Sequence, residues 1–366
     1  MLIEYKNNQI GEIRMLKKSK SFIATPPGAT IKEQLETRGM SQKEFAFRMG
    51  FSEKHVSHLI NGDVQLTQET AYRLEMVLGL PARFWNNLEA IYREKLTKVE
   101  SENALEADKL IAKKIPYNEM AKNGWITETR NLTDKVINLR KYFEVYSLGL
   151  LKETRLPAIA CRRLGQSEKA DFALLAWAQK AKLVARSIDV LPVNLNKLKG
   201  LLKDIRKMTM ETPGRFFAKL RKLLSSCGIA LVVLPHIGGS FLHGASFYDT
   251  NKIVMGLTVR GKDADRFWFS LFHELGHVIL GHINKAGGID EEDEKAADEF
   301  ARNTLIPDED FTAFTDCNNF SHDAIVVFAR RVGIEKGIVV GRLQKESYIG
   351  FNVFNDLKQQ YEIVSV

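Results

Sequence analysis

A chain of 366 residues is too long for one core of ordinary size, which predicts two or three domains. With 45% hydrophobic and 27% charged residues, and no excess of Gly or Pro, the disordered, collagen-like and low-complexity classes are excluded. The net charge of +8 is uneven: 15 basic and 11 acidic residues over 1–98, 25 and 14 over 99–230, 13 and 20 over 231–366. The basic first two thirds fit a polyanion partner, although a solvated helical surface would carry the same excess. The three cysteines, Cys161, Cys227 and Cys317, lie far apart and form no CxxC pair. That fits a reducing compartment and argues against a cysteine zinc site. The first twenty residues are charged and no apolar segment follows them, so no secretion signal is expected. No run of about 18 uncharged apolar residues occurs, and a soluble cytoplasmic protein without membrane contact is expected.

In chain order, residues 1–25 form an N-terminal arm with a basic cluster from Lys17 to Lys20. Pro26-Pro27-Gly28 is a break, and short helices follow from Thr30 to about Lys98. Residues 99–211 read as a helical middle region, with Pro157 and Pro192 as punctuation. The apolar run Ile229 to Leu234, ended by Pro235, reads as a buried strand. Ala245 to Tyr248 and Ile253 to Leu257, around a turn at Asp249-Thr250-Asn251, read as a hairpin. Helices are predicted over Asp263–His282 and Glu291–Leu305, the second stopping at Pro307, with another near Asp323–Val332. The expected architecture is an α-rich α+β chain: an all-α domain at 26–98, the middle region, a domain with a small sheet at 212–320, and a helical tail at 321–366.

The stretch Ser41 to Gly50 opens with a capping-box pattern, Ser41 and Glu44, and ends at a glycine suited to a left-handed turn. A second helix runs from Ser52 through Ile60 and stops at Asn61-Gly62. Two short helices joined by a glycine turn make a helix-turn-helix. The second exposes Glu53, Lys54, His55, His58 and Asn61, which can hydrogen-bond base edges in a major groove. Gln42, at the start of the first helix, is placed to brace a phosphate or a base. A plain helical bundle, or a protein-docking module, would have the same spacing. Gln42, Ala46, Gly50, Val56, Leu59, Asn61 and Gly62 resemble the lambda-repressor-like (XRE) family over roughly residues 28–80. Pro27-Gly28, Leu35 and Gly39-Met40-Ser41 also resemble HigA-type antitoxins. The resemblance implies binding of double-stranded operator DNA as a homodimer, with a toxin as a further partner. Glu53 is a departure from that family, acidic at a groove-facing position, where it would favour a cytosine amino group and repel phosphate.

The segment His273-Glu274-Leu275-Gly276-His277 is an H-e-x-x-H pattern. On a helix, positions i and i+4 share a face, so His273 and His277 can hold one cation, with Glu274 beside them as general base. A third ligand is required. Glu294 and Asp298 are again four apart and share a face. Glu294 can ligate, and Asp298 can accept the distal N–H of a ligand histidine. His282 competes as third ligand, although the metzincin spacing is absent, and is otherwise a surface or supporting histidine. An acidic run from Asp290 to Glu294 is also what a solvated helix face looks like. A closed structural zinc site is the other alternative. Residues from about 212 to 345 resemble ImmA/IrrE-type metallopeptidases, carried by the H-e-x-x-H segment and by Glu294 to Pro307 with Phe300-Ala301. The resemblance implies a gluzincin-like zinc peptidase with ligands His273, His277 and Glu294 and general base Glu274. Some members of that family cut helix-turn-helix repressors, which implies a repressor, or the chain itself, as protein substrate. An oxyanion helper is expected among His243, Tyr248, Arg260 and His282. The rival reading is a regulator whose peptidase-like domain is silent and serves as a partner- or signal-binding module.

Overall fold

A computed structural model describes residues 16–153, 167–238, 243–258, 263–285 and 288–362. Cys161, Pro157 and Arg260 lie outside the described residues. The chain divides into two compact units, Met1–Lys109 and Leu110–Val366.

In the first unit a short antiparallel hairpin, β1 (Lys17–Lys18) and β2 (Ile23–Ala24), precedes four helices: α1 (Pro27–Thr37), α2 (Gln42–Met49), α3 (Glu53–Asn61) and α4 (Gln68–Leu78). Each of the last three begins where a hydroxyl caps it: Ser41, Ser52 and Thr67 accept N–H bonds from Glu44, His55 and Thr70. The reciprocal half of the expected capping box does not form at Ser41, because the Glu44 carboxylate turns to Arg48, 2.6 Å away. Gly50 and Gly62 end α2 and α3 in the left-handed region, with φ 67° and 75°. Gly28 has a different role: a Cβ there would fall 1.9 Å from the Ile60 carbonyl oxygen, so only glycine lets α1 rest on the end of α3. Ile31, Phe45, Val56, Leu59, Leu74 and Trp85 fill the core between these helices. The helix α5 (Ala82–Ala112) runs through the break expected at 98/99. Its Glu102 accepts bonds from Ser19 and Ser21, and its Asn103 donates to the Lys18 carbonyl, which docks the hairpin.

In the second unit α6 (Tyr117–Lys122), α7 (Leu132–Phe143) and α8 (Leu150–Glu153) lead to α9 (Glu168–Ala185), α10 (Leu195–Lys207) and α11 (Pro213–Ser225). Three strands follow: β3 (Ile229–Leu234), β4 (Gly244–Asp249) and β5 (Lys252–Thr258). The β4–β5 hairpin forms as predicted, and β3 lies parallel to β5, which occupies the centre. Helix α9, part of the middle region, packs on this sheet. Its Trp177 indole sits where a Cβ on Gly256 would be, 2.5 Å from Cη2, and that glycine is what admits it. The remaining helices are α12 (Ala264–Ile279), α13 (Glu291–Leu305), α14 (Asp308–Asp316), α15 (His322–Val332) and α16 (Lys336–Lys345). Helix α12 stops three residues short of the expected His282, because Gly281 adopts φ 80° and turns the chain into a 3-10 turn, His282–Asn284. No helix among the described residues is long and apolar enough to cross a membrane.

Candidate metal centre and DNA-facing helix

Helix α12 is held by an apolar stripe, Phe267, Trp268, Leu271, Phe272, Leu275 and Val278, all buried. This leaves His273 and His277 on another face. Helix α13 starts at an Asp290–Asp293 capping box, which sets the phase that puts Glu294 and Asp298 on one side. The two helices approach closely at Gly276, where a Cβ would lie 3.3 Å from the Ala297 Cα. That close approach brings the two pairs of residues together.

Among the described residues, donor atoms of His273, His277 and Glu294 all lie within 4.8 Å of one another. The two histidine Nε2 atoms are 2.9 Å apart, and Glu294 Oε2 and Oε1 lie 3.6 and 3.7 Å from them. Both Nδ1 atoms are committed elsewhere. His273 Nδ1 donates to Asp298 Oδ1 at 2.7 Å, the contact expected of Asp298. His277 Nδ1 lies 3.0 Å from Nδ1 of His282. With both Nδ1 atoms protonated, the two Nε2 lone pairs face each other, an arrangement that a proton or a cation must relieve. Burial, with His273 and His282 beside it, pushes the His277 pKa down to about 3, so its imidazole is neutral. Burial also pulls on His273, but the Asp298 hydrogen bond and the carboxylates of Glu274 and Glu294 outweigh it and hold that pKa above the ordinary value. Two neutralisable imidazoles and a carboxylate, converging with Nε2 inward, suit a divalent ion such as zinc.

Glu274 is only 5% exposed, and burial pushes its carboxyl up to about 7. It is pressed against the edge strand: a Cβ on Gly244 would meet its Cγ and Oε1 at 2.8 Å. Because side chains alternate along a strand, Ser246 and Tyr248 share the face of Gly244. Tyr248 is then roughly 13 Å along the strand from Gly244. His282 is 7% exposed and lies behind His277, so it is neither a surface residue nor an oxyanion helper. His243 directly precedes Gly244, the residue pressed against Glu274. The spacing of residues did not single out Gly244 or Asp293, since neither belongs to a ligand pattern.

On α3, Glu53, Lys54 and Ser57 are exposed, and Gln42 is exposed at the start of α2. Ser57 was not among the expected contacts, although it falls on the same face as Lys54 and Asn61. His58 is engaged by Asp63 at 3.2 Å, and Asn61 is half-buried at the helix end. His55 is half-buried, with its ring 4.5 Å from Phe51. The Arg73 guanidinium lies over the Phe51 ring, 4.8 Å from its centroid, and donates to the Met49 carbonyl. His55 thus braces the turn.

Comparison with known proteins matches two separate segments of the chain. The helix-turn-helix family model matches residues 31–85, and the model for the IrrE N-terminal-like domain, a peptidase family, matches residues 241–344. The uncharacterized HTH-type transcriptional regulator YddM of Escherichia coli strain K12 is 36% identical over 63 residues, which cover 17% of this chain and 67% of that protein. With a helix-turn-helix head and, in the same polypeptide, a domain whose helices α12 and α13 carry the two histidine and carboxylate pairs, the chain belongs to the XRE-type helix-turn-helix regulators fused to an IrrE-like metallopeptidase domain.

Proposed function

We propose that the chain is a DNA-binding transcriptional regulator, of repressor or antitoxin kind, whose IrrE-like domain is a zinc-dependent endopeptidase that cuts a regulatory protein or the chain itself. The observation that carries this reading is the convergence of His273, His277 and Glu294 beside a buried carboxylate, Glu274. Zinc held there would supply Lewis acidity, lowering the pKa of a water and polarising a carbonyl. The chain's own residues do the rest. Asp298 and His282 hold the two imidazoles with Nε2 turned inward. Glu274, held up to about 7, is poised to accept a proton from water near neutral pH and to pass it to the leaving amine. Gly244 keeps the strand against that carboxylate, and the buried surroundings keep bulk water from competing for it.

The head supplies the address. Gln42, Glu53, Lys54, Ser57, His58 and Asn61 are the proposed contacts to an operator, read by a homodimer on two half-sites. A toxin encoded with such an operator is a further proposed partner. Glu274→Gln separates the chemistry from the fold. In cells, that variant should bind its operator as the wild type does, yet fail to derepress under the inducing stress. Normal derepression by the variant would mean that cleavage is not the switch, and the silent, partner-binding domain becomes the better account.

A further inference from the structure

His282 follows His277 by five residues. On a continuous helix that places it about 140° around the axis, away from His277. The chain instead leaves α12 at Ile279, and Gly281, at φ 80°, folds it back so that His282 lies beneath His277. The two Nδ1 atoms are 3.0 Å apart, and His282 Nε2 is 3.4 Å from Asp293 Oδ1. Asp293 is 5% exposed, and its two oxygens accept from Lys285 Nζ at 2.6 and 2.7 Å. It also accepts the Asp290 backbone N–H at the start of α13, one residue before Glu294. Lys285 offsets the carboxylate charge, so the pair adds no net charge to the buried site.

We propose that His282 and Asp293 are a positioning pair for His277, tying the ligand on α12 to the helix that carries Glu294. This rests on the reading of His273, His277 and Glu294 as a metal site. His277 must turn an Nε2 lone pair toward the other two donors, so its proton is on Nδ1. Among the described residues the acceptor for that proton is Nδ1 of His282, which in turn carries its own proton on Nε2, facing Asp293. The chain of donors therefore has a single direction, and it fixes both tautomers. His273 is held differently, by direct contact with Asp298. His277 is thereby the ligand whose orientation is set from inside the protein and His273 the one set from its surface, where Asp298 is exposed.

The test uses the full-length chain and zinc alone, with the dissociation constant read by competition against a chromophoric chelator. His282→Leu removes the acceptor, and should weaken zinc about 10- to 100-fold and alter the visible spectrum of the cobalt-substituted protein. His282→Gln retains an amide oxygen for the His277 proton and an N–H for Asp293, and should restore affinity to within a few-fold. Zinc binding in His282→Leu within twofold of wild type would overturn the positioning role, as would a Gln variant as weak as the Leu variant, which would reduce His282 to packing. His277→Ala guards the underlying reading: a wild type without zinc, or a His277→Ala chain that keeps it, would refute the metal site itself. Should His282→Leu not fold, imidazole nitrogen NMR of the wild type decides. The proton on Nδ1 of His277 and Nε2 of His282 supports the pair, and the reverse tautomer at His282 overturns it.

Discussion

Gly244 is the residue on which the placement of Glu274 depends. A methyl group there would sit 2.8 Å from the Glu274 Cγ and Oε1 and 2.9 Å from Leu257 Cδ2, so the carboxylate must move. A displacement near 1 Å costs on the order of 10²-fold in a positioned reaction. Gly244→Ala should therefore keep its zinc and lower the rate of substrate cleavage by about that factor, as measured against the wild type in the same assay. Loss of zinc in Gly244→Ala would mean that the strand supports the metal ligands as well. At this scale the sequence was informative about chemistry and poor about burial. The His273, His277, Glu294 and Asp298 pattern was legible because helical spacing alone puts i and i+4 on one face. In sequence Asp293 is part of what looks like a solvated acidic run, since nothing in Asp290 to Glu294 announces that one of its carboxylates points inward. His282 was ambiguous for a related reason: its position depends on where the helix stops, which Gly281 decides.

The elements around the site are tied at their ends. The Arg206 guanidinium on α10 donates to the carbonyls of Leu305 and Val332, at 2.8 and 2.7 Å, the last residues of α13 and α15. These are orphan carbonyls at helix C-termini, where a cation is also favoured by the helix dipole. Arg206→Ala should destabilise the second unit by about 1–3 kcal/mol in denaturant unfolding, because two partly buried acceptors lose a charged donor. An effect under about 0.5 kcal/mol would show that water replaces it freely. Glu335 caps α16 by accepting the Gly337 N–H. Burial, with Asp265 nearby, raises its pKa from 4.5 to about 7. The folded chain then binds this proton more tightly than the unfolded chain, so the group's contribution to stability falls as pH rises from 4.5 to about 7. Glu335→Gln keeps an acceptor for Gly337 and removes the charge. It should flatten the stability profile across that window and gain up to about 3 kcal/mol at pH 8. A variant less stable than wild type at pH 8 would show that the carboxylate is needed in its charged form.

At the scale of the whole molecule, periodicity and turn residues were enough to read helices and the β4–β5 hairpin, and motif spacing together with family resemblance to read the two ends. The boundary between units was not legible, because α5 carries no break at residue 98: its 31 residues run on to Ala112. Glu102 and Asn103, which hold the β1–β2 hairpin, lie beyond that point. A fragment of residues 1–112 should therefore melt several degrees above a fragment of residues 1–98, and equal melting temperatures would mean that the hairpin contributes nothing. Likewise, the fit of Trp177 to Gly256 is a long-range contact that no local pattern reveals, so sequence alone places α9 in the middle region and does not show that it covers the sheet. The central claim remains that one divalent ion is held by three side chains from two helices, beside a carboxylate that serves the chemistry and not the binding. Elemental analysis of the purified full-length chain tests it most directly. It should find one zinc per chain in the wild type and in Glu274→Gln, and little in His273→Ala, His277→Ala or Glu294→Ala. Full zinc in those three alanine variants, or its loss in Glu274→Gln alone, would contradict the assignment.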